Sequence, residues 1–561
     1  MYNFSTFIKL KVNGKIYTSY EKDNKYCKVV TDIIDNRITA TVIPSTEIEL
    51  VEFKLDTKIP YTKGDVFFVN GYQSWSTSWE VQKENTLKST SPITNVSSWA
   101  KNAAQVGGDY SFVEYKKKKG YFHSNGYTYI RNGEKLNFFG SLSERNGYTF
   151  FKYDMNTSDF SIVKDVEGFV LDKECKLVDV VTFEGGYDEV FDKYFEAMKV
   201  PSPRLKHLAG YTSWYNYFQK INEKIILRDL NGLDRAKDDV SIYQIDDGYE
   251  TKVGDWLLKN DKDFPRGMKF IADKIHEKGY LAGIWIAPFS CETDSVIANE
   301  HPDWFIKVPG TDKRHIGTFA WNGSYTLDIY NEEARDYIKH YFDVILNEWG
   351  YDMVKLDFLY SQCAFPRYGK SRGQIMCEAM DFLRECVGDK LFLGCGVPLL
   401  PSFGVVDACR ISCDVSLSYR PKLENVLNLS NELPSAQNAI NNTIFRRHLD
   451  GRVFCNDPDV FFLRSSNLKF NFEQKLLLAF INHLMGNVLF ISDNAGDYSD
   501  YEIELLKRFF KENDAKIISA GRVNLGDDFE VVFDDGTGVK TLKFNLLTGV
   551  SNIKNILGVK S

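Results

Sequence analysis

Residues 331–360 read NEEARDYIKHYFDVILNEWG followed by YDMVKLDFLY. The first twenty carry the spacing of an amphipathic helix. The last ten form a short apolar β-like run that Asp357 closes. A helix that delivers the chain into a near-continuous apolar strand is the repeating unit of a parallel sheet.

The same texture extends outward on both sides. From about Leu208 the apolar runs are LAGYTSWY (208–215), VSIYQIDD (240–247), LAGIWIAPF (281–289), DMVKLDFL (352–359), LFLGCGVP (391–398), VDACRISCD (406–414), RVFCNDPD (452–459) and NVLFISDN (487–494). Between them lie helical patterns such as DFPRGMKFIADKIHEKG (263–279) and GQIMCEAMDFLREC (373–386), and DYEIELLKRFFKEN (500–513) follows the last. These eight strand–helix units predict a closed (β/α)8 barrel. A doubly wound sheet is the alternative, but no GxGxxG follows a strand and no P-loop is present.

Upstream the period changes to two. FIKLKVNG (7–14), RITATVIP (37–44), EIELVEFKL (47–55), GYTFFKYDM (147–155) and FSIVKDVEGFVL (160–171) alternate between Gly, Asn and Asp punctuation. No long helix is expected before about Asp188, so this part reads as a β-sandwich. Pro201 and Pro203 mark the boundary that follows. Past about residue 514, FEVVFDD and VKTLKFNLL meet at Asp535-Gly536 and read as a small β cap, too small to fold alone. The expected organisation is an N-terminal β-sandwich over 1–195, a catalytic (β/α)8 barrel over 196–512 and a small C-terminal β domain over 513–561.

Composition narrows the function classes. A chain of 561 residues exceeds one ordinary domain. The formal net charge of −8 argues against a general nucleic-acid binder. The opening MYNFSTFIKLKVNGKIY has no basic region leading into an apolar one, and no apolar stretch is long enough to span a bilayer. The ten cysteines are scattered without a CxxC pair, as in reduced thiols. A cytoplasmic location and no membrane partner are the expectations. The eight histidines are dispersed without HxH or HExxH, and no loop has the EF-hand pattern, so no metal is expected. There is no GxSxG either.

In a (β/α)8 barrel the active site lies at the C-terminal ends of the strands. There the sequence places Trp214, Asp246, Asp247, Trp285, Lys355, Asp357, Cys395, Arg410, Asp414, Asp457, Asp459 and Asp493. Acids at strand ends often only cap helices, which is the bland reading of Asp459 and Asp493. Two adjacent acids, Asp246 and Asp247, do not both cap. Asp357 and Asp414 close apolar runs, and a carboxylate inside a buried strand needs partners or a purpose. A pair on nearby strands is the minimal apparatus of a glycosidase. Strand alternation puts Lys355 beside Asp357, where it is expected to keep that carboxylate ionised and depress its pKa. Asp414 shares its face with Arg410 and is the expected proton donor. Cys395, in GCG, reads as a small buried thiol rather than a nucleophile. Outside the barrel, NGYQSWSTSW (70–79) sets Trp75 and Trp79 in a loop of small polar residues, a composition suited to lidding a neighbouring pocket.

GYQSWS, YTSWYNYF, QIDDGYE followed by GDW, FPRGMKFIADKIHEKGYLAGIWIAPF, HPDWF, VKLDFLY, GCGVPLLPSFGVVDACRISCD and NDPD together resemble the α-galactosidases (melibiases) of glycoside hydrolase family 36, above all their short bacterial and archaeal-type members. The resemblance keeps motif order over nearly all of residues 60–500. It implies a β-sandwich, a (β/α)8 barrel and a C-terminal β domain, with no cofactor. It also implies Asp357 as nucleophile and Asp414 as acid/base. Asp246 and Asp247 would grip O4 and O6 of galactose, and Lys355 and Arg410 would bind ring hydroxyls. Trp285, Trp214 and Cys395 would shape the pocket, with Trp75 reaching in from the sandwich. The larger members carry KWDxN and SDDTD where this chain has KLDFL and SCDVS, which sets it in a divergent subgroup. The expected activity is retaining hydrolysis of small α-galactosides of the melibiose and raffinose type. The alternatives are an α-N-acetylgalactosaminidase and a sugar-binding relative without catalysis.

Overall fold

The computed structural model describes residues 2–419 and 429–559. Among these residues, the N-terminal part forms two seven-stranded antiparallel sheets packed face to face. Alternation drives the packing. In Ile48–Lys58 the buried residues are Ile48, Leu50, Phe53 and Leu55, so the parity changes after Leu50. The cause is a β-bulge: Lys9 pairs with Glu52 and Leu10 with Leu50, which leaves Val51 as the extra residue. The inner faces meet in aromatic contacts such as Phe139 with Phe160, ring centroids 4.7 Å apart. One helix, Ser98–Gln105, interrupts this β region and is capped by the Ser97 hydroxyl.

The eight expected barrel strands are all present, parallel and in sequence order. They are Leu208–Thr212 (β1), Ile242–Ile245 (β2), Leu281–Ile286 (β3), Met353–Leu356 (β4), Leu391–Gly394 (β5), Ala408–Arg410 (β6), Cys455–Asp457 (β7) and Val488–Ile491 (β8). β8 pairs with β1, which brings the sheet round on itself. Closure between β7 and β8 is looser than a full ladder. A parallel bridge joins Phe461 to Ile491, and the Phe461 N–H donates to the Phe490 carbonyl at 3.0 Å. Several of the surrounding helices start on side-chain caps. Arg372–Val387, Phe472–Met485 and Asp500–Phe510 each carry a capping box, built from Ser371 and Gln374, Asn471 and Gln474, and Ser499 and Glu502.

Two features were not anticipated. A small antiparallel sheet of Ser290–Glu292, Ile316–Thr318 and Ser324–Thr326 sits between β3 and β4. The C-terminal sheet has a third strand, Lys516–Arg522, beside Asp528–Asp534 and Val539–Asn545. That sheet leans on the barrel helices through Phe533 against Phe480 (5.6 Å) and Phe529 against Phe445 (6.2 Å). Among the described residues, no helix is long and apolar enough to cross a membrane.

Candidate active site

Just beyond the C-terminal ends of the barrel strands lies a cavity of about 400 Å³. Trp75, Trp214, Asp246, Asp247, Trp285, Lys355, Asp357 and Asp414 line it. Parallel pairing explains the convergence. Trp285 and Lys355 are register partners across β3 and β4, so the Trp285 indole reaches the residue that leaves β4. Trp285 Nε1 donates to Asp357 Oδ2 at 3.1 Å. The Phe358 backbone N–H donates to Asp357 Oδ1 at 2.8 Å. That second bond comes with a Phe358 φ of 57°, a left-handed conformation that a bulky side chain adopts only under constraint. Strained backbone of this kind gathers at functional sites.

The electrostatics differ from the sequence expectation at this residue. Lys355 was expected to pair with Asp357 and depress its pKa. Instead, burial pushes the Asp357 carboxyl up, and the Lys355 charge, the Trp285 N–H and a bond from Cys395 only restrain the rise. The Lys355 ammonium points at β2, where it donates to Asp246 Oδ2 at 2.9 Å. Burial works against the Lys355 charge, but Asp246 and then Cys395 and Asp357 hold its pKa well up.

The two adjacent acids are satisfied by the protein itself. Asp246 Oδ2 also accepts from Gln244 Nε2 at 2.8 Å and Thr212 Oγ1 at 3.1 Å. Asp247 accepts from Gln219 Nε2 at 3.1 Å and from Trp321 Nε1 at 2.9 Å. Burial pushes the Asp247 carboxyl up. Glu250, wholly inside, is pushed well up by burial and then by the charge of Asp247.

Asp414 is the most exposed acid of the group, with 36 % of its side chain accessible. It accepts from the Arg410 guanidinium at 3.0 Å. Arg410 itself is only 1 % exposed and does not line the cavity, so the expected contact from its guanidinium to a sugar hydroxyl has no geometric basis here. Its second partner is Asp459, at 2.9 Å. The capping reading of Asp459 is therefore corrected: it is buried, accepts from the Val415 N–H at 2.6 Å and from the Tyr215 hydroxyl, and backs the Arg410–Asp414 pair. Burial lifts the Asp459 carboxyl to about 7 despite Arg410. Asp493 is likewise no simple cap, since its buried carboxylate pairs with Arg464 and accepts from the Tyr498 hydroxyl at 2.5 Å. Cys395 also stands behind the wall rather than in it. Its thiol accepts from Trp75 Nε1 at 3.4 Å, and burial pushes it well up.

The roof comes from outside the barrel strands. Trp75 packs edge-on against Phe358 (5.2 Å) and Tyr360 (5.6 Å). Its neighbour Trp79 was expected in the same loop. It instead opens the strand Trp79–Val81 and is half-buried, with the Arg522 guanidinium 5.3 Å from its ring. The loop is fixed to the barrel by Arg446, which is fully buried and donates to the carbonyls of Gln73 (3.1 Å), Ser74 (2.6 Å) and Ile411 (2.7 Å) and to Ser78 Oγ (2.9 Å). Gly396 lets the loop sit close, because a Cβ there would meet Trp75 Cζ2 and the Phe358 nitrogen at 2.9 Å each. Trp321 and Glu432, which the sequence reading did not single out, complete the rim. Trp321 holds a φ of 53° and packs on Trp285 (5.8 Å) and Phe358 (5.0 Å). Glu432 accepts from Ser76 Oγ at 2.8 Å and the Tyr110 hydroxyl at 2.9 Å, and burial lifts it to about 7. Neither had a motif to announce it. Among the described residues no cluster of three or more His, Cys, Asp or Glu is placed to hold a metal ion.

Known proteins resemble this chain in sequence and in fold. The Melibiase family matches residues 214–371. α-Galactosidase Mel36A of Lactobacillus acidophilus is 28% identical over 181 residues, 29% of this chain and 24% of that protein. The chain thus aligns with about a quarter of that relative's length. Two structures of the α-galactosidase TtGalA from Thermus thermophilus are 25% identical, each with a TM-score of 0.70. The one in complex with p-nitrophenyl α-D-galactopyranoside covers 90% of this chain and 98% of its own. The one in complex with stachyose covers 87% and 100%.

Proposed function

We propose that this chain, a glycoside hydrolase of the family 36 α-galactosidase type, is a retaining α-galactosidase that acts on small α-galactosides. One observation carries the reading: the carboxyl groups that follow β4 and β6 open onto the same cavity, one buried and held by two N–H donors, the other half-exposed beside an arginine.

Those environments suit different roles. In the proposed first step an Asp357 oxygen forms a bond to the anomeric carbon as the glycosidic C–O bond breaks. Asp414 gives its proton to the departing oxygen. In the second, water attacks the same carbon from the side the aglycone left, Asp414 takes its proton, and the bond to Asp357 breaks. Two inversions restore the α configuration. Trp285 Nε1 and the Phe358 N–H fix the attacking carboxylate, so little reorganisation is left for the reaction itself.

Asp246 and Asp247 lie at the end of β2 as charged acceptors with fixed orientation, and we assign them to the galactose O4 and O6 hydroxyls. Lys355 lies within reach of the same sugar while it neutralises Asp246. Cys395 and Arg410 act as positioning residues, the first through Trp75 and the second through Asp414. The ligand of the Thermus thermophilus complex, an aryl α-galactoside, is the natural first probe.

The test removes the nucleophile. Asp357→Gly should turn over p-nitrophenyl α-galactoside at least about 10³-fold more slowly. Added azide should restore part of the rate and yield a β-galactosyl azide, because the small anion fills the vacated position. Near-wild-type turnover in Asp357→Gly, or an α-configured azide, would reject the assignment. Aryl α-glycosides that differ only at C2 and C4 then separate galactose from N-acetylgalactosamine and glucose.

A further inference from the structure

A second cavity, of about 520 Å³, lies against the first. Val106, Phe319 and Tyr360 line both, so these three side chains form a common wall. Its far side is built by the helix Ser98–Gln105 of the N-terminal part and by the segment that leads into Ile316–Thr318 of the barrel insertion. None of the catalytic carboxylates reaches it. Its composition is unlike a core void. Rings of Trp99, Phe319 and Phe365 alternate with Asn102, Gln105 and His315. His315 Nε2 is buried there without a hydrogen-bond partner among the described residues. Trp99 is 62 % exposed and touches Phe319 edge-on at 5.4 Å. A tryptophan left this open gains little from burial and offers its face to a ligand.

We propose that this second cavity is a subsite for the distal sugars of the aglycone in longer α-galactosides, with Trp99 as its specificity-determining residue. The assignment rests on the α-galactosidase reading above. A pyranose has an apolar face and a polar rim. The exposed Trp99 ring and the half-buried Phe319 and Phe365 rings, flanked by the Asn102 and Gln105 amides, match both. The shared wall places this surface next to the catalytic cavity, where a galactosyl group held at Asp357 would send the remainder of its chain. The cavity lies between an N-terminal helix and a barrel insertion, both outside the strand ends that carry the chemistry. It can therefore set chain-length preference without touching the reaction.

The experiment measures kcat/KM for two substrates in the wild-type chain and in Trp99→Ala. One is p-nitrophenyl α-galactopyranoside, whose aglycone is a single ring, and the other is stachyose. Trp99 is exposed, so its removal leaves the fold intact, and an unchanged melting temperature verifies this. The expected result is a fall of at least about fivefold for stachyose, mainly in KM, with the aryl galactoside within about twofold. Equal falls for both substrates, or no fall for either, overturn the subsite. Absence of turnover of both substrates by the wild-type chain overturns the α-galactosidase reading itself and the subsite with it, an outcome distinct from the first two.

Discussion

Trp321 ties the rim of the cavity to Asp247 through one hydrogen bond. Its indole N–H is directed at Asp247 Oδ2, while its ring lies between Trp285 and Phe358. Trp321→Phe keeps most of the ring and deletes the N–H. A hydrogen bond to a charged group contributes about 1.5–3 kcal/mol, so kcat/KM for an aryl α-galactoside should fall roughly tenfold or more. The melting temperature should move by no more than about 2 °C. Unchanged kcat/KM would mean that Asp247 does not need this donor. Trp321 also illustrates what a sequence hides. The strand ends were legible because apolar runs closed by Asp are rare and costly. Trp321 sits in AWNG, a turn-like stretch with no periodicity, and its role depends on a left-handed φ that no spacing rule signals. Asp459 was visible as a residue but not as a partner, since its service to Arg410 runs across from the segment after β7 to β6.

At the scale of elements, three segments from distant parts of the chain meet at Glu432. Its carboxyl accepts from Ser76 of the GYQSWS loop and from Tyr110 after the N-terminal helix, while its own backbone belongs to the segment that follows Asp414. The carboxyl is lifted from 4.5 to about 7 by burial. A raised acid binds its proton more tightly in the folded state. Its stabilising contribution is therefore complete below about pH 4.5 and is lost as pH rises to and through about 7. Glu432→Gln keeps a neutral side chain that can accept from Ser76 and donate to Tyr110. The melting temperature of Glu432→Gln relative to wild type should therefore climb between pH 4.5 and 7.5, with most of the climb complete by pH 7.5. Asp459 and Asp450, also lifted to about 7, tilt both chains alike and cancel from the difference. A difference that stays flat across this window would remove Glu432 as a titrating contact. The loop itself was legible as an element suited to lidding a pocket, because it sets Trp among Gly and Ser, and of its two Trp it is Trp75 that lines the cavity. Its partner was not, since the helix Ala436–Phe445 reads as any amphipathic segment until Asn441 and Asn442 are seen bonding the loop at Ser78 and Ser76.

For the whole molecule, the question is what makes the sandwich part of the site rather than an appendage. The barrel's eight strands were readable from apolar runs alone, since a strand covered on both faces must be apolar throughout. The attachment of the sandwich was not readable, because it is made by polar atoms, and polar atoms give no periodic signal. Arg446 is the clearest case. It is fully buried, burial lowers its pKa to about 10, and four of its bonds go to Gln73, Ser74, Ser78 and Ile411. No carboxylate is paired with it among the described residues, so its charge is balanced by carbonyl dipoles and the Ser78 hydroxyl. Arg446→Leu would remove the donors and leave the Ser74 carbonyl buried without its partner, while the Gln73 carbonyl keeps the Ser76 N–H and the Ile411 carbonyl keeps Asn442 Nδ2. That orphaned group costs about 1–3 kcal/mol, and with the other charge-assisted bonds lost a total of about 3–5 kcal/mol is expected, since the leucine recovers part of the buried surface. The loss should appear in a specific form. Scanning calorimetry should show a lower first transition, because the sandwich and barrel no longer unfold as one unit. Turnover should be lost over that same first transition, because Trp75 leaves the cavity when the loop does. A variant that melts at the wild-type temperature in a single transition would mean that the loop is held by its packing against Phe358 and Tyr360 and not by the buried arginine.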